Sequence, residues 1–394
     1  MPTDTYKRAL DLLATKLLED EPRLGVQFPY VTDETGAWLT MPASHSAGYT
    51  GSGWSHGNWF CGFWVGLLVA AHLQTGETRF LDLARERMQL VAQRARDGST
   101  HDIGFIFESS AIPLVWVTGD PDCAAIALNA ADRLRRRLIT TWNGAYVSAW
   151  GPLDDERGRR SSAIDTMANL PLLNWAAEHA DDGSFRLAAE AHACMTRDAF
   201  IRSDWSTSHA VEYDLVTGER LRAFTFQGYA DWSCWTRGQA WAIYGFTETA
   251  RATRKVDYLV LAENLADYYL ARMGARLVPY WDFDDPTAPN CPLDSSAAAV
   301  VASAFLTMAK LHPDETTGAV WQHRGLAILD ALCATCLASE PSHRGLLKHG
   351  CYSLPHRIGT DSAVLFGDWF FTEALCAAVM PGKLHPVPQR LARR

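Results

Sequence analysis

The chain has 394 residues, of which 48% are hydrophobic and 21% charged. This balance is typical of a compact globular protein and excludes the disordered, collagen-like and coiled-coil classes. Lys and Arg number 36 against 45 Asp and Glu, so the net charge is −9 at pH 7. The charge disfavours nucleic acid and anionic membranes as partners, because both are polyanions. It allows a small anionic ligand that is bound by local positive groups.

The sequence predicts a cytoplasmic protein. Charges occur throughout the first 20 residues, and no run of 18 apolar residues exists, so neither a signal peptide nor a membrane span is expected. The nine cysteines are odd in number and are spread through apolar stretches, which predicts reduced thiols. No linker interrupts the chain before residue 381, so we expect one domain over residues 1–380 and a flexible basic tail over 381–394.

Helical periodicity, with apolar residues at i, i+3, i+4 and i+7, recurs in twelve stretches along the chain. They cover residues 4–20, 58–75, 77–96, 103–117, 121–138, 162–179, 184–202, 233–252, 255–273, 294–311, 317–338 and 361–380. Strand patterns are few, at 144–150 and 276–283. The sequence therefore predicts an all-α protein.

The connections between these stretches alternate in kind. Tight polar turns follow the even-numbered stretches, and longer segments rich in Trp, His, Asp and Gly follow the odd-numbered ones. Even-numbered stretches are apolar nearly all round, whereas odd-numbered ones carry charges. This pattern predicts an (α/α)6 barrel of six helical hairpins, with an inner and an outer layer and with the active-site loops at one mouth. An open α-solenoid fits the same helices, but the terminal hairpins lack the polar capping face that an open array needs.

Several acidic residues precede or open the inner stretches. Asp102, Asp231, Asp294 and Asp361 each occupy a position where an N-cap belongs, and Ser162 to Asp165 has the spacing of a capping box. Capping alone would account for all of them. A catalytic role is the alternative, because acids at inner-helix N-termini that face one mouth are also where a site would be built. Asp102 stands in an apolar setting, and Asp165 shares a helix face with Asn169.

Other candidates are aromatic or positively charged. Trp54, Trp59, Trp150 and Trp241 lie in or beside the junctions between loops and inner helices, where indole rings suit either sugar faces or simple packing. Arg237, on an apolar inner stretch, has two interpretations: an ion pair with an Asp of the next inner helix, or a contact with a ligand carboxylate. No zinc-type cluster, nucleotide loop or serine-hydrolase motif occurs, so we expect neither metal nor cofactor.

Five segments, in order, resemble a known family. The segment 225–246, TFQGYADWSCWTRGQAWAIYGF, is similar to the signature of unsaturated glucuronyl hydrolases, glycoside hydrolase family 88. The other four segments are HDIGF at 101–105, the run from Ile164 to Leu173, PYWDF at 279–283 with DSSA at 294–297, and GDWFF at 367–371. The resemblance spans residues 50 to 375.

The resemblance implies a fold, a reaction and residue roles. Enzymes of this family are α/α barrels that remove the Δ4,5-unsaturated uronic acid that polysaccharide lyases leave at the non-reducing end of oligosaccharides. The double bond is hydrated: the acid matching Asp165 protonates C4, and its carboxylate then takes a proton from the water that adds at C5. Asp102 matches the second acid and would raise the pKa of the first. The remaining matched residues would bind substrate, namely His101, His209, Gln227, Arg237, Trp241, Trp150, Trp54, Trp59 and Asn169.

Three alternatives remain open. The chain could be an unsaturated rhamnogalacturonyl hydrolase that acts on pectin fragments, a sugar-binding barrel without catalysis, or a helical scaffold for protein partners. The presence of both Asp102 and Asp165 favours catalysis over the second alternative. Lys348, His349 and Arg357 are candidates for contact with a leaving sugar or its sulfate, with a solvated loop as the simpler explanation. The sequence decides neither the parent polysaccharide nor the oligomeric state.

Overall fold

The computed structural model describes residues 2–43 and 57–392. The α-helices are α1 (Pro2–Leu24), α2 (Cys61–Thr75), α3 (Arg79–Val91), α4 (Ile103–Glu108), α5 (Ala111–Thr118), α6 (Pro121–Arg135), α7 (Glu156–Arg160), α8 (Leu170–His179), α9 (Gly183–Phe200), α10 (Thr236–Thr253), α11 (Val256–Met273), α12 (Ser295–Leu311), α13 (Glu315–Thr335) and α14 (Leu365–Val379). The strands are β1 (Gln27–Thr32), β2 (Trp38–Pro42), β3 (Leu138–Thr141), β4 (Gly144–Val147), β5 (Ser161–Ala163), β6 (Ala210–Tyr213), β7 (Arg220–Phe224), β8 (Gly350–Ser353) and β9 (Ile358–Ser362). The mostly helical character predicted from the sequence is confirmed.

The helices differ in how they are buried, as the alternation of apolar and charged stretches predicts. Helix α2 buries every residue from Cys61 to Ala71, and α4 buries all of its residues. Helix α3 buries Phe80, Ala84, Arg87, Met88 and Val91, a spacing that places them on one face. The helices α2, α4, α8, α10, α12 and α14 form an inner layer, and α1, α3, α6, α9, α11 and α13 lie outside it.

Neighbouring inner helices are in contact in chain order. Helix α2 contacts α4, α4 contacts α8, α8 contacts α10, α10 contacts α12, α12 contacts α14, and α14 contacts α2. The outer helices cover them: α1 and α3 pack on α2, α6 on α5, α9 on α8, α11 on α10, and α13 on α12. The core therefore lies between and within the inner helices.

Two inner stretches break where proline removes a backbone donor. The stretch predicted at 103–117 is two helices, α4 and α5, because Pro113 cannot bond to the carbonyl of Ser109 and its ring crowds that turn. The stretch predicted at 162–179 begins instead with β5 and a 3₁₀ turn, Ile164–Asn169, and α8 follows with Pro171 in its first turn. Asp165 therefore lies in a 3₁₀ turn and not at a helix N-cap.

Small antiparallel sheets occupy the long connections that lead into inner helices. The sheets are β1–β2, β3–β4, β5–β6–β7 and β8–β9, and their strands precede α2, α8, α10 and α14. The strand predicted at 144–150 is confirmed as β4. The strand predicted at 276–283 is wrong: a 3₁₀ turn, Gly274–Arg276, is followed by Leu277 at a φ of 64°, which interrupts an extended backbone.

The chain after residue 380, for which the sequence predicts a flexible tail, lies along the ends of several helices. Leu384 and Leu391 are buried, and the Leu391 amide donates to the Leu311 carbonyl. The Arg254 guanidinium donates to the carbonyls of Gln389 and Arg390. Residues 381–392, called the C-terminal segment below, are therefore packed on the helices, because two leucines give them an apolar anchor.

The cysteines and the helix lengths bear on two further expectations. All nine cysteines are free thiols, as predicted. No helix in the described part of the chain combines the length and the apolar character needed to cross a bilayer. The cytoplasmic location stays a prediction.

The packing of α10 on the turn that carries Asp165 leads to a first prediction. A Cβ on Gly245 would lie 2.4 Å from the Met167 Cβ and 2.6 Å from its carbonyl carbon. We expect Gly245→Ala to lower the free energy of unfolding by about 1–3 kcal/mol, because this crowding outweighs the higher helix propensity of Ala. Urea unfolding followed by circular dichroism measures the change.

Gly98→Ala is the matched control, because its Cβ would meet nothing within 4 Å. We expect it to be neutral or slightly stabilising, since Ala restricts the unfolded chain. Equal effects of the two substitutions would contradict the proposed close contact.

Candidate active site

A cavity of about 260 Å³ lies at the N-terminal ends of the inner helices, as expected for a mouth that is lined by the long connections. It gathers most of the site residues predicted from the sequence. Its lining residues are Tyr30, Met41, Gly57, Trp59, Phe60, His101, Asp102, Trp150, Asp165, Phe226, Gln227, Trp235, Arg237, Trp241, Tyr352 and Ile358. Trp54 lies outside the described residues.

Asp165 faces this cavity from the 3₁₀ turn before α8. Its side chain is 16% exposed, and the nearest basic atom is the His209 Nε2, 3.7 Å from the Asp165 Oδ2. Among the described residues, that oxygen has no hydrogen-bond partner. A buried carboxylate oxygen without a hydrogen-bond partner destabilises a folded protein. The Asp165 carboxyl group is therefore a candidate for direct contact with a ligand.

Burial is the main cause that raises the pKa of Asp165, to about 6. The next cause in size is His101, whose positive charge lowers this pKa, and the Asp102 carboxylate raises it again. Arg237 lowers it further. A carboxyl group with a pKa near neutrality can give up a proton and take one back at the same pH, as a residue that acts first as an acid and then as a base must do.

Asp102 and His101 form a close pair beside Asp165. The His101 Nδ1 lies 2.9 Å from the Ala149 carbonyl oxygen, which can accept but not donate, so Nδ1 carries a proton. The His101 Nε2 lies 3.1 Å from the Asp102 Oδ1, and Thr100 Oγ1 donates to the other oxygen. Burial lowers the pKa of His101, but Asp102 and Asp165 together raise it above its usual value. The Asp102 and Asp165 charges therefore favour the protonated form of His101, whose two ring nitrogens both face oxygen acceptors.

His209 has the opposite charge state. Burial, with help from Arg237 and His101, holds the pKa of His209 well below its usual value, so the ring is neutral. Its Nδ1 is 2.8 Å from the Thr225 hydroxyl, which also accepts a hydrogen bond from the Gly228 amide. The ring packs between Phe226 and Trp235, with centroids 4.1 and 4.4 Å away. His209 thus presents a neutral Nε2 towards Asp165.

Arg237 lines the cavity, but its guanidinium is engaged by the protein. Nη1 lies 2.5 Å from the Asp294 Oδ2 and donates to the Cys351 carbonyl, and Nη2 donates to the Tyr352 carbonyl. The ion-pair interpretation of the sequence is therefore confirmed. The pair joins α10, α12 and the β8–β9 hairpin. Contact of Arg237 with a ligand carboxylate stays a prediction.

Asn169 and His209 are absent from the described lining of the cavity, so their role in substrate binding stays a prediction. Asn169 bonds to backbone. It is fully buried, its Oδ1 accepts from the Phe105 amide at 2.6 Å, and its Nδ2 donates to the Asp165 carbonyl at 3.0 Å. Its amide joins the backbone of α4 to the turn that carries Asp165. The helical i, i+4 pattern placed Asn169 near Asp165 correctly, but the side chain bonds to backbone.

The aromatic residues form the cavity walls. Trp241 is almost fully buried and forms part of the cavity wall. Trp59 stacks on Phe366 with ring centroids 5.3 Å apart. Trp150 meets Phe226 edge to face at 4.9 Å. Gln227 donates through Nε2 to the Tyr352 carbonyl at 3.1 Å. These groups leave an apolar, partly open space beside the acids, which suits the faces of a sugar ring.

The capping interpretation holds for one of the predicted acids. Asp294 caps α12 by accepting a hydrogen bond from the Ser296 amide. Asp102 stands at the N-cap of α4 without a side-chain cap, and Asp165 lies within a turn. Asp231 accepts a hydrogen bond from a loop amide, and Asp361 lies in β9. Capping therefore does not explain the two acids that face the cavity.

Several wall residues were not singled out from the sequence. Phe226 and Trp235 lie within the segment 225–246. The family resemblance of this segment indicated the site but did not identify these two residues individually. Tyr30 and Met41 come from β1 and β2, and Tyr352 from β8, where no local pattern marks a site. Tertiary structure alone brings these three to the cavity.

Three loop residues considered for leaving-sugar contacts are absent from the described lining of the cavity. Lys348 pairs with Glu340 at 2.7 Å, and His349 pairs with Asp361 at 2.6 Å. Arg357 lies in the turn between β8 and β9 at a φ of 56°. Their contact with a leaving sugar stays a prediction.

Comparison with known proteins gives consistent matches. No family model matches the chain. The chain is 33% identical to the unsaturated glucuronyl hydrolase of Bacillus sp. (strain GL1) over 368 residues, 90% of this chain and 91% of the relative. It is 30% identical to the unsaturated chondroitin disaccharide hydrolase of Streptococcus agalactiae serotype III (strain NEM316), over 80% of each chain. A solved structure of a UGL variant with dGlcA-Glc-Rha-Glc has a TM-score of 0.87 and 30% identity, and covers 96% of this chain and 99% of that one.

The Arg237–Asp294 pair leads to a prediction on stability. Both side chains are at most 2% exposed. We expect Asp294→Asn to lower the free energy of unfolding by about 3–5 kcal/mol, because it leaves the Arg237 charge buried without its counter-ion. Urea unfolding measures this loss.

Glu212→Gln is the matched control, because it removes the carboxylate of an exposed pair with Arg222. We expect a change below about 1 kcal/mol, since solvent screens that pair. If Asp294→Asn lowers the free energy of unfolding by no more than Glu212→Gln does, the buried pair does not hold the three elements together.

Proposed function

The chain belongs to the unsaturated glucuronyl hydrolases, and from this membership we propose that it removes a Δ4,5-unsaturated glucuronic acid from the non-reducing end of lyase-generated oligosaccharides. The reaction hydrates the C4=C5 double bond. The single observation that carries the proposal is the Asp165 carboxyl, which faces an aromatic-walled cavity with an unpartnered oxygen and a pKa of about 6.

Asp165 acts first as an acid and then as a base. Its protonated form gives a proton to C4 of the enol ether, and positive charge develops at C5. Its carboxylate then takes a proton from the water that adds at C5. The resulting hemiketal opens and releases the next sugar. One group serves both steps because its pKa lies near neutral pH.

His101 and Asp102 adjust the proton affinity of Asp165. The Asp102 carboxylate raises the pKa of Asp165 and the His101 imidazolium lowers it, so the pair limits the upward shift caused by burial. Asp102 also offers carboxylate oxygens to sugar hydroxyls at the cavity surface. The neutral His209 ring next to Asp165 adds no charge of its own, so it can meet the substrate without opposing protonation of Asp165.

The anionic substrate is bound by local groups in a chain with a net charge of −9. His101 and Arg237 are the cations that line the cavity in the described residues. Trp59, Trp150 and Trp241 supply the wall against which a sugar ring packs, and Gln227 lies among them. These assignments rest on the match of each residue to the family pattern and on its place in the cavity.

We also propose that the inner helices close into an (α/α)6 barrel and that residues 1–380 form one domain. The contact of α14 with α2 and the contacts of each inner helix with the next support closure. A single cluster of buried apolar residues that runs from Tyr6 to Leu391 supports one domain.

The proposal leaves one question of specificity, namely which polysaccharide supplies the unsaturated oligosaccharide. One relative is named for chondroitin disaccharides, and one structural neighbour is described with glucose next to the unsaturated uronate. Decay of the ultraviolet absorbance of the C4=C5 bond, followed on unsaturated disaccharides from chondroitin, other glycosaminoglycans and bacterial polysaccharides, tests the proposal. Activity restricted to pectin-derived disaccharides would replace it with a rhamnogalacturonyl hydrolase, and activity on none would contradict it.

The role of Asp165 leads to a prediction on rate. We expect Asp165→Asn to slow the loss of absorbance by at least about 100-fold, because an amide cannot deliver the proton. Asp361→Asn is the control: this acid also precedes an inner helix, but it does not belong to the described lining of the cavity. Wild-type rates for Asp165→Asn would remove the proton-donor assignment.

The charge of His101 leads to a prediction on pH dependence. Since protonated Asp165 starts the reaction, kcat/KM falls as pH rises through about 6. His101→Gln removes the cation that lowers the pKa of Asp165, while Asp102 stays charged, so we expect this falling limb to move to higher pH. His72→Gln, at the far end of α2, should leave the limb in place. A limb that stays or moves to lower pH in His101→Gln would contradict the proposed tuning.

A further inference from the structure

A second and larger cavity, of about 600 Å³, lies at the other end of the inner helices. Glu108 ends α4, Glu248 and Arg251 lie near the end of α10, and Glu373 lies in the second half of α14. The C-terminal segment covers this cavity and contributes His385. None of these residues takes part in the proposed reaction.

The carboxylates in this cavity outnumber its buried cations. Arg251 pairs with Glu248 at 2.6 Å, so Glu248 is neutralised within the protein. Glu373, at 7% exposure, lies beside His385, and Glu108, at 6% exposure, is left without a basic partner among the described residues. Lys310 also lines the cavity but is exposed. Two buried carboxylates at one place favour binding of a cation.

Glu108 is the independent indication of a ligand. It is 6% exposed and lines the cavity, and among the described residues its carboxyl group has no hydrogen bond or ion pair, so its oxygens face the cavity space. Burial, and after it the Glu373 charge, raise the pKa of Glu108 to about 8, so a cation that binds there displaces a proton and stabilises the carboxylate.

The imidazole of His385 lies close to the two carboxyl groups. Donor atoms of Glu108, Glu373 and His385 lie within 4.8 Å of one another. The His385 Nε2 is 3.1 Å from the Glu373 Oε1, and the Ser303 hydroxyl donates to the Glu373 Oε2 at 2.5 Å. The hydroxyl orients Glu373 in the way that neighbouring donors orient metal-binding carboxylates. Zn²⁺ binds such ligands at about 2.0–2.2 Å, so donor atoms on one ion lie no more than about 4 Å apart and the three side chains must approach slightly to bind it.

We propose that Glu108, Glu373 and His385 form a binding site for one divalent transition-metal cation of the Zn²⁺ class. Two carboxylates and one imidazole suit Zn²⁺, Co²⁺ or Ni²⁺, whereas Ca²⁺ and Mg²⁺ prefer all-oxygen sites. A fourth position is left for water.

The ion joins three parts of the chain, namely α4, α14 and the C-terminal segment. Other contacts hold this segment in place: the Trp116 indole donates to the Gly382 carbonyl, and the Leu391 amide donates to the Leu311 carbonyl. The bound cation therefore has a structural role at the end of the molecule opposite the candidate active site.

The full chain, freed of metal with a chelator, is titrated with Zn²⁺ in a calorimeter and with Co²⁺ in a visible spectrometer. We expect one equivalent to bind, tetrahedral Co²⁺ absorption to appear, and the melting temperature to rise with Zn²⁺. Ca²⁺ and Mg²⁺ should produce none of these changes. Failure of the wild-type chain to bind Zn²⁺ and Co²⁺ would overturn the proposal.

Variants locate the site. We expect Glu108→Gln and His385→Gln each to weaken Zn²⁺ binding by at least about 10- to 100-fold, the loss seen when a residue that merely supports a ligand is removed. Ultraviolet activity should be retained, which shows an intact fold. His323→Gln, which lines the same cavity outside the cluster, and Asp165→Asn, in the other cavity, should bind as wild type. Binding that survives both Glu108→Gln and His385→Gln, or that is lost in Asp165→Asn, would place the ion elsewhere and overturn the assignment.

Discussion

An inner layer of helices without a solvent face imposes one constraint on this protein: a polar group at the end of such a helix must find a partner in a connecting loop or stay unsatisfied. Most of them find partners. Arg237 is held by Asp294 and two carbonyls of β8, and the Asp368 carboxylate accepts from the amides of Leu346 and Leu347. These contacts join the loops to the helices, and they explain why long irregular connections surround a well-defined cavity.

Two acids that line the cavities at the two ends of the layer differ from these engaged groups. Among the described residues, Asp165 keeps an oxygen without a hydrogen-bond partner at one end of the helical layer, and Glu108 lines a cavity at the other end while only 6% exposed. Their surroundings differ. Asp165 lies among aromatic rings with a His–Asp pair nearby, which suits proton transfer to a sugar. Glu108 lies near a second carboxylate and an imidazole, which suits a cation.

The sequence predicted the residues whose side chains face the cavity better than it predicted the hydrogen bonds that support them. The matched segments place Asp102, Asp165, Gln227 and Arg237 at one cavity, and the structure brings them together there. For Asn169 the shared face predicted closeness to Asp165 but not its bonds to the Phe105 amide and the Asp165 carbonyl, because spacing does not show which atoms two residues join. The strand expected at 276–283 failed for a related reason, since alternating apolar residues do not reveal a left-handed backbone at Leu277.

The sequence alone determined the helical class, the alternation of inner and outer helices, the free cysteines and the acids of the candidate site, because periodicity, composition and short motifs are local properties of a chain. Tertiary structure decided the rest. It separated the acid that caps a helix, Asp294, from those that face a cavity, and it set the pKa of Asp165, which depends on burial and on charges from other segments. It also brought Tyr30, Tyr352 and His385 to their cavities from distant positions, because contacts between remote segments leave no pattern within either one.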